Sequence, residues 1–167
     1  MTQPFITEPL GRHHDRSAFV SGSEPLDSYL KQQASQDIRR RVAGCFVAVD
    51  DDGKIVGYYT LAATSVRLQA LPEELVKRLP RYPIVPAMLI GRLAVAASHQ
   101  GKQLGRALIA DAVTRVDRLG IGAFALIVDA KDERAKKFYE VNGFVPLPDE
   151  ERRLCLPMET ALQDLRS

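Results

Sequence analysis

The sequence is poor in the residues that mark several large protein classes. It has no tryptophan, three histidines and two cysteines in 167 residues. Cys45 and Cys155 lie in apolar segments, and neither they nor the histidines have ligand-like spacing, so we expect reduced, buried thiols and no metal. No apolar run approaches the roughly 20 residues of a membrane span. The N-terminal segment does not resemble a secretory signal, so we expect a cytoplasmic protein with no membrane association.

The chain as a whole also has little excess of positive over negative charge. The formal net charge is +2, which by itself does not indicate a nucleic-acid-binding protein. Positive charge is concentrated locally, because Arg39, Arg40 and Arg41 are consecutive, and Arg78 and Arg81 flank a proline-rich segment. The composition, with 46% hydrophobic and 26% charged residues, is typical of a folded protein. Without repeats or long linkers, it predicts a single domain over residues 1–167.

The order of the predicted elements indicates a mixed α/β fold. A first helix is predicted from an N-cap at Ser23 to about Arg39, followed by two hairpin strands, CFVAVD and IVGYYTLAATSV. The strand AMLIGRLAVA, which we expect to be buried on both faces, the helix RALIADAVTRVDRL and the strand AFALIVDA come next. A strand–helix–strand crossover predicts that its two strands are parallel neighbours. The helix ERAKKFYEVN, ended by Gly143, and the closing strands FVPL and RLCLPM complete a mixed, mostly antiparallel central sheet with helices on both faces.

The segment Gln100–Leu108 has the features of a phosphate-binding loop. It lies between a buried strand and a helix, and it contains Gly101 and Gly105. Glycine lets the backbone approach a ligand closely, and a helix N-terminus offers free N–H groups and the positive end of the helix dipole. Lys102 and Arg106 add positive charge. A glycine-containing turn without a ligand remains the alternative on this pattern alone.

The stretch GRLAVAASHQGKQLGRALIADA resembles the signature region of GNAT (Gcn5-related) N-acetyltransferases. Their acyl-CoA loop follows the pattern Q/R-x-x-G-x-G/A. Gln100 and Gly105 match its first and last positions, whereas Gln103 replaces the inner glycine. The resemblance implies an acetyl-CoA site in which the loop residues bind the co-substrate, namely Gln100, Gly101, Lys102, Gln103, Leu104, Gly105 and Arg106.

A second stretch, VDAKDERAKKFYEVNGFVPL, is similar to the family's A-x-x-F-Y-x-x-x-G-F element. The resemblance implies that Tyr139 lies beside the CoA sulfur and acts as general acid, whereas Phe138 is an ordinary core residue. An ordinary core position is the alternative for Tyr139. In this fold the central strand splays from its parallel neighbour, which implies pantetheine contacts from Leu93, Ala94 and Val95. The Val95 N–H is then the candidate for polarising the thioester carbonyl.

The N-terminal half extends the resemblance to one GNAT subgroup. LDSYLKQQASQDIRRRVAGCFVAV, GYYTLAATSV and PAMLIGRLAV are similar to the toxins of bacterial toxin–antitoxin systems. The resemblance implies aminoacyl-tRNA as the acceptor, a ribbon-helix-helix antitoxin as partner and a homodimer. The arginines that we expect to contact tRNA are Arg39, Arg40, Arg41, Arg78, Arg81 and Arg92. For Arg92, a buried structural partner is an equal alternative.

Two other functions fit the same motifs. One is an acetyltransferase for a small amine or a protein N-terminus, which needs the CoA residues and Tyr139 but no arginine-rich surface. The other is a non-catalytic CoA-binding partner module, for which Gln103 is the supporting feature. No histidine is assigned as general base: His13 and His14 are expected on the surface, and His99 adjoins the loop. Since a free α-amino group has a pKa of about 8, a dedicated base is not required.

Overall fold

The computed structural model describes residues 5–167. The strands of this part of the chain are β1 Ile6–Pro9, β2 Gly44–Val49, β3 Ile55–Arg67, β4 Ile84–Val95, β5 Ala125–Asp129, β6 Val145–Leu147 and β7 Glu150–Pro157. The helices are α1 Glu24–Ser28, α2 Ala34–Arg39, α3 Glu73–Val76, α4 Leu104–Leu119, α5 Glu133–Val141 and α6 Met158–Arg166. No helix within residues 5–167 is both long and apolar enough to cross a membrane.

The strands form a mixed sheet in the order β1-β2-β3-β4-β5-β7-β6. The pairs β1–β2, β2–β3, β5–β7 and β6–β7 are antiparallel. The pair β4–β5 is parallel, with Ala87 opposite Ala125 and Ile90 opposite Val128. The predicted parallel neighbours are therefore confirmed, and the mixed, mostly antiparallel sheet is the predicted fold class.

The chain divides into two compact units, each with its own apolar core. One unit consists of the residues up to Ala62 together with Gly91–Asp111. Its core includes Phe19, Leu30, Val47 and Tyr58. The other unit consists of Ala63–Ile90 and Ala112–Ser167, and its core includes Val66, Leu75, Ile127 and Cys155.

The first helix ends where the sequence predicts but is not regular throughout. A π-helical turn, Tyr29–Gln33, separates α1 from α2, and α2 ends at Arg39. Ser23 occupies the predicted N-cap position without a side-chain capping bond. Instead, the Ser21 hydroxyl donates to Asp27 Oδ1 at 2.6 Å. A π-helical turn adds a residue to one turn of the helix, and Tyr29 is the first residue of this turn.

Three sequence expectations need correction. Helix α4 begins at Leu104, two residues earlier than the predicted start at Arg106. Helix α6 was not predicted, although Met158 and Ala161 have helical spacing and are buried. The expectation that β4 is buried on both faces is wrong at Gly91 and Arg92, which are exposed although the strand is central in the sheet. The apolar composition of the strand did not indicate this opening.

Candidate active site

The middle of strand β4 is irregular where its pairing with β5 stops. The parallel pairing covers Ala87–Ile90, and β4 continues to Val95. Immediately past the paired segment, the Arg92 N–H donates to Thr60 Oγ1 at 3.0 Å, a side-chain acceptor on β3. Thr60 is 1% exposed, and a Cβ added at Gly91 would lie 3.1 Å from its hydroxyl. The backbone of Gly91–Val95 therefore differs from the regular paired strand before it, as expected for a splayed strand that binds a ligand through its backbone.

The end of β4 is held by a network of backbone and side-chain hydrogen bonds. The Ala96 N–H donates to Val56 O at 2.8 Å. The Gln100 side-chain nitrogen donates to Val95 O at 3.0 Å and to Ser21 O at 2.5 Å. Gln100 thus ties the loop to the strand end, and its amide nitrogen is occupied by protein acceptors. With both bonds made inside the protein, this nitrogen is not available to a phosphate group.

The loop after Gln100 makes two left-handed turns before α4 begins. Gly101 has φ +79° and Gln103 has φ +68°, in the region that favours glycine. Gln103 therefore keeps the backbone conformation that suits the family's inner glycine, at a cost in strain. The side chains of Lys102, Gln103 and Arg106 are exposed around the first turn of α4. Exposed donors and cations at the N-terminus of a 16-residue helix fit a pyrophosphate group.

Helix α4 packs close to the sheet at a glycine on β3. Leu104 and Leu108 are buried. A Cβ added at Gly57 on β3 would lie 3.1 Å from Leu108 Cδ1, 3.5 Å from Leu104 Cδ2 and 3.1 Å from Ala94 O. Glycine at this position lets α4 approach the strand that carries Leu93, Ala94 and Val95. The helix N-terminus and the β4 backbone are therefore positioned by the same packing contact.

Tyr139 lies on α5, in the other compact unit. The helix begins at its N-cap, Asp132, whose side chain accepts from the Ala135 N–H at 2.8 Å. The Tyr139 ring is buried, with its centroid 5.3 Å from that of Phe144 in an edge-to-face arrangement. Phe138, expected as the core residue of the pair, is only half-buried.

The Tyr139 hydroxyl is a free donor. Burial raises the pKa of Tyr139 to about 12, so the phenol stays protonated at neutral pH. Across residues 5–167, no side chain accepts a hydrogen bond from this hydroxyl, and it is not among fully enclosed polar atoms without a partner. A protonated donor with an accessible tip on an otherwise buried ring is suited to protonating a ligand atom.

The arginines chosen from the sequence are all exposed. Arg39, Arg40 and Arg41, the arginine run, end α2 and continue past it, with Arg41 in the left-handed region at φ 60°. Arg78 and Arg81 are exposed in the other unit. Arg92 makes no ion pair within residues 5–167; its guanidinium carbon lies 3.7 Å from the centroid of the Tyr29 ring. Tyr29 is buried, so Arg92 does have a buried structural partner, an aromatic face rather than a carboxylate, and a substrate role for its exposed side chain stays a prediction.

The expectation that His14 is a surface residue is also wrong. His14 is 7% exposed, and its Nε2 lies 2.5 Å from Glu8 Oε1. The Gly11 N–H donates to His14 Nδ1 at 2.8 Å, so in the neutral ring the proton is on Nε2 and is shared with Glu8. Glu8, His13 and His14 do bring three possible metal ligands within 4.8 Å of one another, which their sequence spacing did not suggest. A metal at Nε2 would displace that proton, so these hydrogen bonds favour a structural role.

The cysteines are unsuited to covalent catalysis. Cys45 and Cys155 are both free and buried, as predicted. Burial raises the pKa of Cys45 to about 12 and that of Cys155 to about 11. Since the thiolate is the nucleophilic form, neither residue is reactive at neutral pH. Neither thiol is therefore a candidate for carrying a covalent intermediate.

A family comparison agrees with this geometry. Residues 10–144 match the model of the acetyltransferase (GNAT) family. The chain belongs to the GNAT acetyltransferase family. It is thus an acyltransferase whose co-substrate is acetyl-CoA, and the assignment of the loop Gln100–Arg106 and of Leu93, Ala94 and Val95 to that co-substrate stays a prediction.

Two relatives of this GNAT protein are similar over nearly their whole length. A tRNA-acetylating toxin of Mycobacterium tuberculosis is 35% identical over 149 residues, which cover 88% of this chain and 88% of the relative. The probable toxin TacT of Sinorhizobium fredii is 30% identical over 166 residues, which cover 93% and 92% of the two chains.

Three solved structures are similar in both fold and sequence. AtaT complexed with acetyl-methionyl-tRNAfMet has a TM-score of 0.88 and 29% identity, with 98% of this chain and 99% of that chain covered. AtaTR bound with acetyl-CoA has a TM-score of 0.83 and 27% identity, with coverage of 97% and 98%. A tyrosine-to-phenylalanine variant of AtaT, bound to the C-terminus of the antitoxin AtaR, has a TM-score of 0.82 and 25% identity, with coverage of 99% and 100%.

One compact unit of this GNAT domain contains the loop, the open strand segment, the arginine run and Arg92. Sequence reasoning missed three residues that organise this unit. They are Thr60, which accepts from the Arg92 backbone, Tyr29, which supports the Arg92 side chain, and Asp37, which accepts from the Tyr29 hydroxyl. The only local signal was Tyr29 itself, an aromatic residue that the helical spacing assigned to the core.

Proposed function

We propose that this GNAT acetyltransferase transfers the acetyl group of acetyl-CoA to the amino group of aminoacyl-tRNA and acts as the toxin of a toxin–antitoxin pair. The observation that carries the proposal is the similarity to a tRNA-acetylating toxin over 88% of both chains, in a chain whose arginine run and Arg92 are exposed in the same compact unit as the proposed acetyl-CoA loop. Exposed arginines supply the phosphate contacts that an RNA acceptor needs and a small amine does not.

Acetyl-CoA is assigned to two backbone surfaces of that unit. The pyrophosphate is bound by the backbone of Gly101–Gly105 and by the Lys102 and Arg106 side chains, at the N-terminus of α4. The pantetheine arm is bound by the backbone of Leu93, Ala94 and Val95, beyond the point where β4 stops pairing with β5. Gln100 holds these two surfaces in register through its bonds to Val95 O and Ser21 O.

The chemistry is aminolysis of the thioester without a covalent enzyme intermediate. The neutral amine attacks the carbonyl carbon, and the Val95 N–H stabilises the negative charge that develops on the oxygen. A well-placed donor of this kind is typically worth about 3 kcal/mol. The C–S bond then breaks, Tyr139 donates its proton to the leaving sulfur, and the tyrosine is reprotonated by the proton that the amine loses.

No side chain is assigned as general base. The α-amino group of an amino acid has a pKa of about 8, and esterification to tRNA lowers that pKa, so a substantial fraction is neutral at physiological pH. His14 shares its proton with Glu8, and His99 Nδ1 lies 2.8 Å from the Ser98 hydroxyl. Neither histidine is needed to remove the proton from such an amine.

The proposed partner is an antitoxin of the ribbon-helix-helix type, and the proposed active form is a homodimer in the cytoplasm. The antitoxin is suggested by the similarity to AtaT, one variant of which was solved with the C-terminus of AtaR. A homodimer is the commonest symmetric assembly of soluble proteins. Co-expression with a candidate ribbon-helix-helix protein encoded beside this gene, followed by size-exclusion chromatography with light scattering, tests both features.

A transfer assay tests the acceptor assignment directly. Purified protein is incubated with radiolabelled acetyl-CoA and either total aminoacyl-tRNA or the same tRNA after mild alkaline deacylation. We expect label in the charged tRNA only, since the acceptor is the amino group of the esterified amino acid. Parallel reactions contain a polyamine and a peptide with a free N-terminus. Faster transfer to either of these than to charged tRNA would replace the proposed acceptor, and no transfer to any amine would favour the non-catalytic CoA-binding module.

A further inference from the structure

The Arg92 side chain lies on an aromatic ring rather than against a carboxylate. Its guanidinium lies over the Tyr29 ring, 3.7 Å from the centroid. The Tyr29 hydroxyl donates to Asp37 Oδ2 at 2.7 Å, and Gln33 Nε2 donates to Asp37 Oδ1 at 3.1 Å. Burial, followed by the bond to Asp37, raises the pKa of Tyr29, so the ring is a neutral phenol and a permanent donor. These contacts define the Arg92 cluster: Arg92, Tyr29 and Asp37.

The face of the Arg92 guanidinium is covered, but its edges are free. Across residues 5–167, no acceptor is recorded for the Arg92 side-chain nitrogens, and the residue is exposed. Arg16 in the same unit is a useful contrast, because its Nη1 donates to Ser35 Oγ at 2.7 Å and to Leu30 O at 3.3 Å. A guanidinium held by its face presents paired N–H donors in the geometry that binds a planar or tetrahedral oxyanion with two hydrogen bonds.

The Arg92 cluster lies between two features already assigned to the substrates. Arg92 directly precedes Leu93, the first of the three β4 residues proposed to contact the pantetheine arm. On the other side, the charges of both Arg92 and Arg40 lower the pKa of Asp37, after its bonds from Tyr29 and Gln33. Arg92 and Arg40 thus both act on Asp37, whose carboxylate is engaged by Tyr29 and Gln33.

From this arrangement we infer that Arg92, positioned by Tyr29 and Asp37, binds the terminal phosphate next to the aminoacylated nucleotide of the acceptor. Arg92 is a specificity-determining residue, because it selects acceptors that carry a phosphate close to the amine. Tyr29 and Asp37 are positioning residues, which keep the guanidinium edges directed away from the protein. The inference rests on the proposed function, and it names the phosphate as the part of the acceptor that Arg92 binds.

Two acceptors with the same aminoacyl-adenosine end, one joined to phosphate-bearing RNA and one without it, separate this role from others. One is an acceptor-stem RNA minihelix charged with the amino acid that the wild-type protein acetylates best. The other is adenosine esterified with the same amino acid, which has the same amine and no phosphate. For Arg92→Gln we expect kcat/KM on the charged minihelix to fall about 10- to 100-fold, the range for hydrogen bonds to a charged group, mostly through KM. On aminoacyl-adenosine we expect a change of no more than about threefold.

Conservative variants distinguish the contributions of the Tyr29 ring and of the planar guanidinium donors from that of the Arg92 charge. Arg92→Lys keeps the charge but loses the planar pair of donors, so it should recover little of the minihelix activity. Tyr29→Leu removes the aromatic face and should lower minihelix activity about 3- to 30-fold, whereas Tyr29→Phe, which keeps the ring, should lower it less. Arg67→Gln is the matched control, because Arg67 is an exposed strand arginine outside the proposed machinery. Calorimetric affinity for acetyl-CoA should be unchanged in all variants.

Three results would overturn the inference. One is an equal loss on both acceptors in Arg92→Gln, which would place Arg92 at the amine or in the fold. Another is a minihelix activity in Arg92→Gln equal to that of Arg67→Gln. The third is a fall in acetyl-CoA affinity, which would assign the phosphate to the co-substrate.

Binding of a fluorescein-labelled, uncharged minihelix, measured by anisotropy, separates this inference from the proposed function. If the wild-type protein acetylates no charged RNA, the proposed function fails. The inference then stands if Arg92→Gln weakens minihelix binding about 10-fold more than Arg67→Gln does, and fails if the two variants bind equally.

Discussion

The two hydrogen bonds of the Gln100 side chain, here called the tether, hold the proposed acetyl-CoA loop to its surroundings. Their loss can be measured separately from the effect of a new negative charge in the loop. The Gln100 amide nitrogen donates to Val95 O at 3.0 Å and to Ser21 O at 2.5 Å. In Gln100→Glu both donors are lost, and a carboxylate faces two carbonyl oxygens. A typical intramolecular hydrogen bond contributes about 1 kcal/mol, so we expect a loss of about 1–2 kcal/mol in the free energy of unfolding. For a chain of this length that corresponds to a fall in Tm of roughly 3–6 °C.

The control for Gln100→Glu is Gln103→Glu, three residues along the same loop. It introduces the same charge beside the expected pyrophosphate, but the Gln103 side chain is exposed and ties no strand. We expect both variants to bind acetyl-CoA more weakly, with Gln100→Glu weaker by about a further tenfold, equivalent to about 1.4 kcal/mol. Calorimetric titration gives the affinities, and thermal unfolding gives Tm. Equal affinities and equal Tm values in the two variants would refute the tether and leave charge as the only effect.

Three further predictions follow from the site. Tyr139→Phe should keep acetyl-CoA affinity but lower kcat about 10²- to 10⁴-fold, the usual contribution of a general acid, and a loss below about threefold with chemistry rate-limiting would exclude this role. In the wild-type protein, kcat should rise with pH as the acceptor amine loses its proton and should not fall again up to pH 10, because burial holds the pKa of Tyr139 at about 12; a descending limb near pH 8–9 would point to another acid. Gln103→Gly and Arg41→Gly should each stabilise the fold by about 0.5–1 kcal/mol in thermal unfolding, because both replace a left-handed non-glycine residue, whereas only Gln103→Gly should alter acetyl-CoA affinity.

The parts of the fold that follow from local sequence patterns were predictable. The β2–β3 hairpin follows from two strand-like runs around a turn with Gly53 at φ +78°. The end of α5 follows from Gly143, whose φ of +94° ends the helix as a left-handed glycine. The parallel pairing of β4 with β5 follows from the handedness and length of a strand–helix–strand crossover. In each case the determining residues are neighbours in sequence.

The features that the sequence did not predict depend on contacts between distant residues. The exposure of Arg92 follows from the change in pairing along β4, and its orientation follows from Tyr29, on a helix far earlier in the chain. The π-helical turn that presents Tyr29 has no known local signature in YLKQQ. Likewise, His14 is buried because Glu8 and Gly11 satisfy both ring nitrogens, which its polar neighbours in the sequence did not suggest.

The site itself was partly predictable for the same reason. The acetyl-CoA loop is a contiguous motif, so its position between β4 and α4 could be identified directly. The separate roles of the loop residues could not be predicted, because Gln100 bonds to Ser21, a residue from the segment before α1. The strain at Gln103 is another feature that only the backbone geometry reveals.

The central claim is that the protein acetylates the amino group of aminoacyl-tRNA. The most direct test is mass spectrometry of tRNA from cells after brief induction of the wild-type protein, with nuclease digestion that releases the aminoacylated terminal adenosine. The account predicts N-acetylaminoacyl-adenosine in the induced cells. It also predicts none in cells that express a folded Gly105→Asp variant, in which a side chain and a negative charge would lie against the pyrophosphate. Growth arrest with unmodified aminoacyl-adenosine, or equal acetylation by the two proteins, would contradict it.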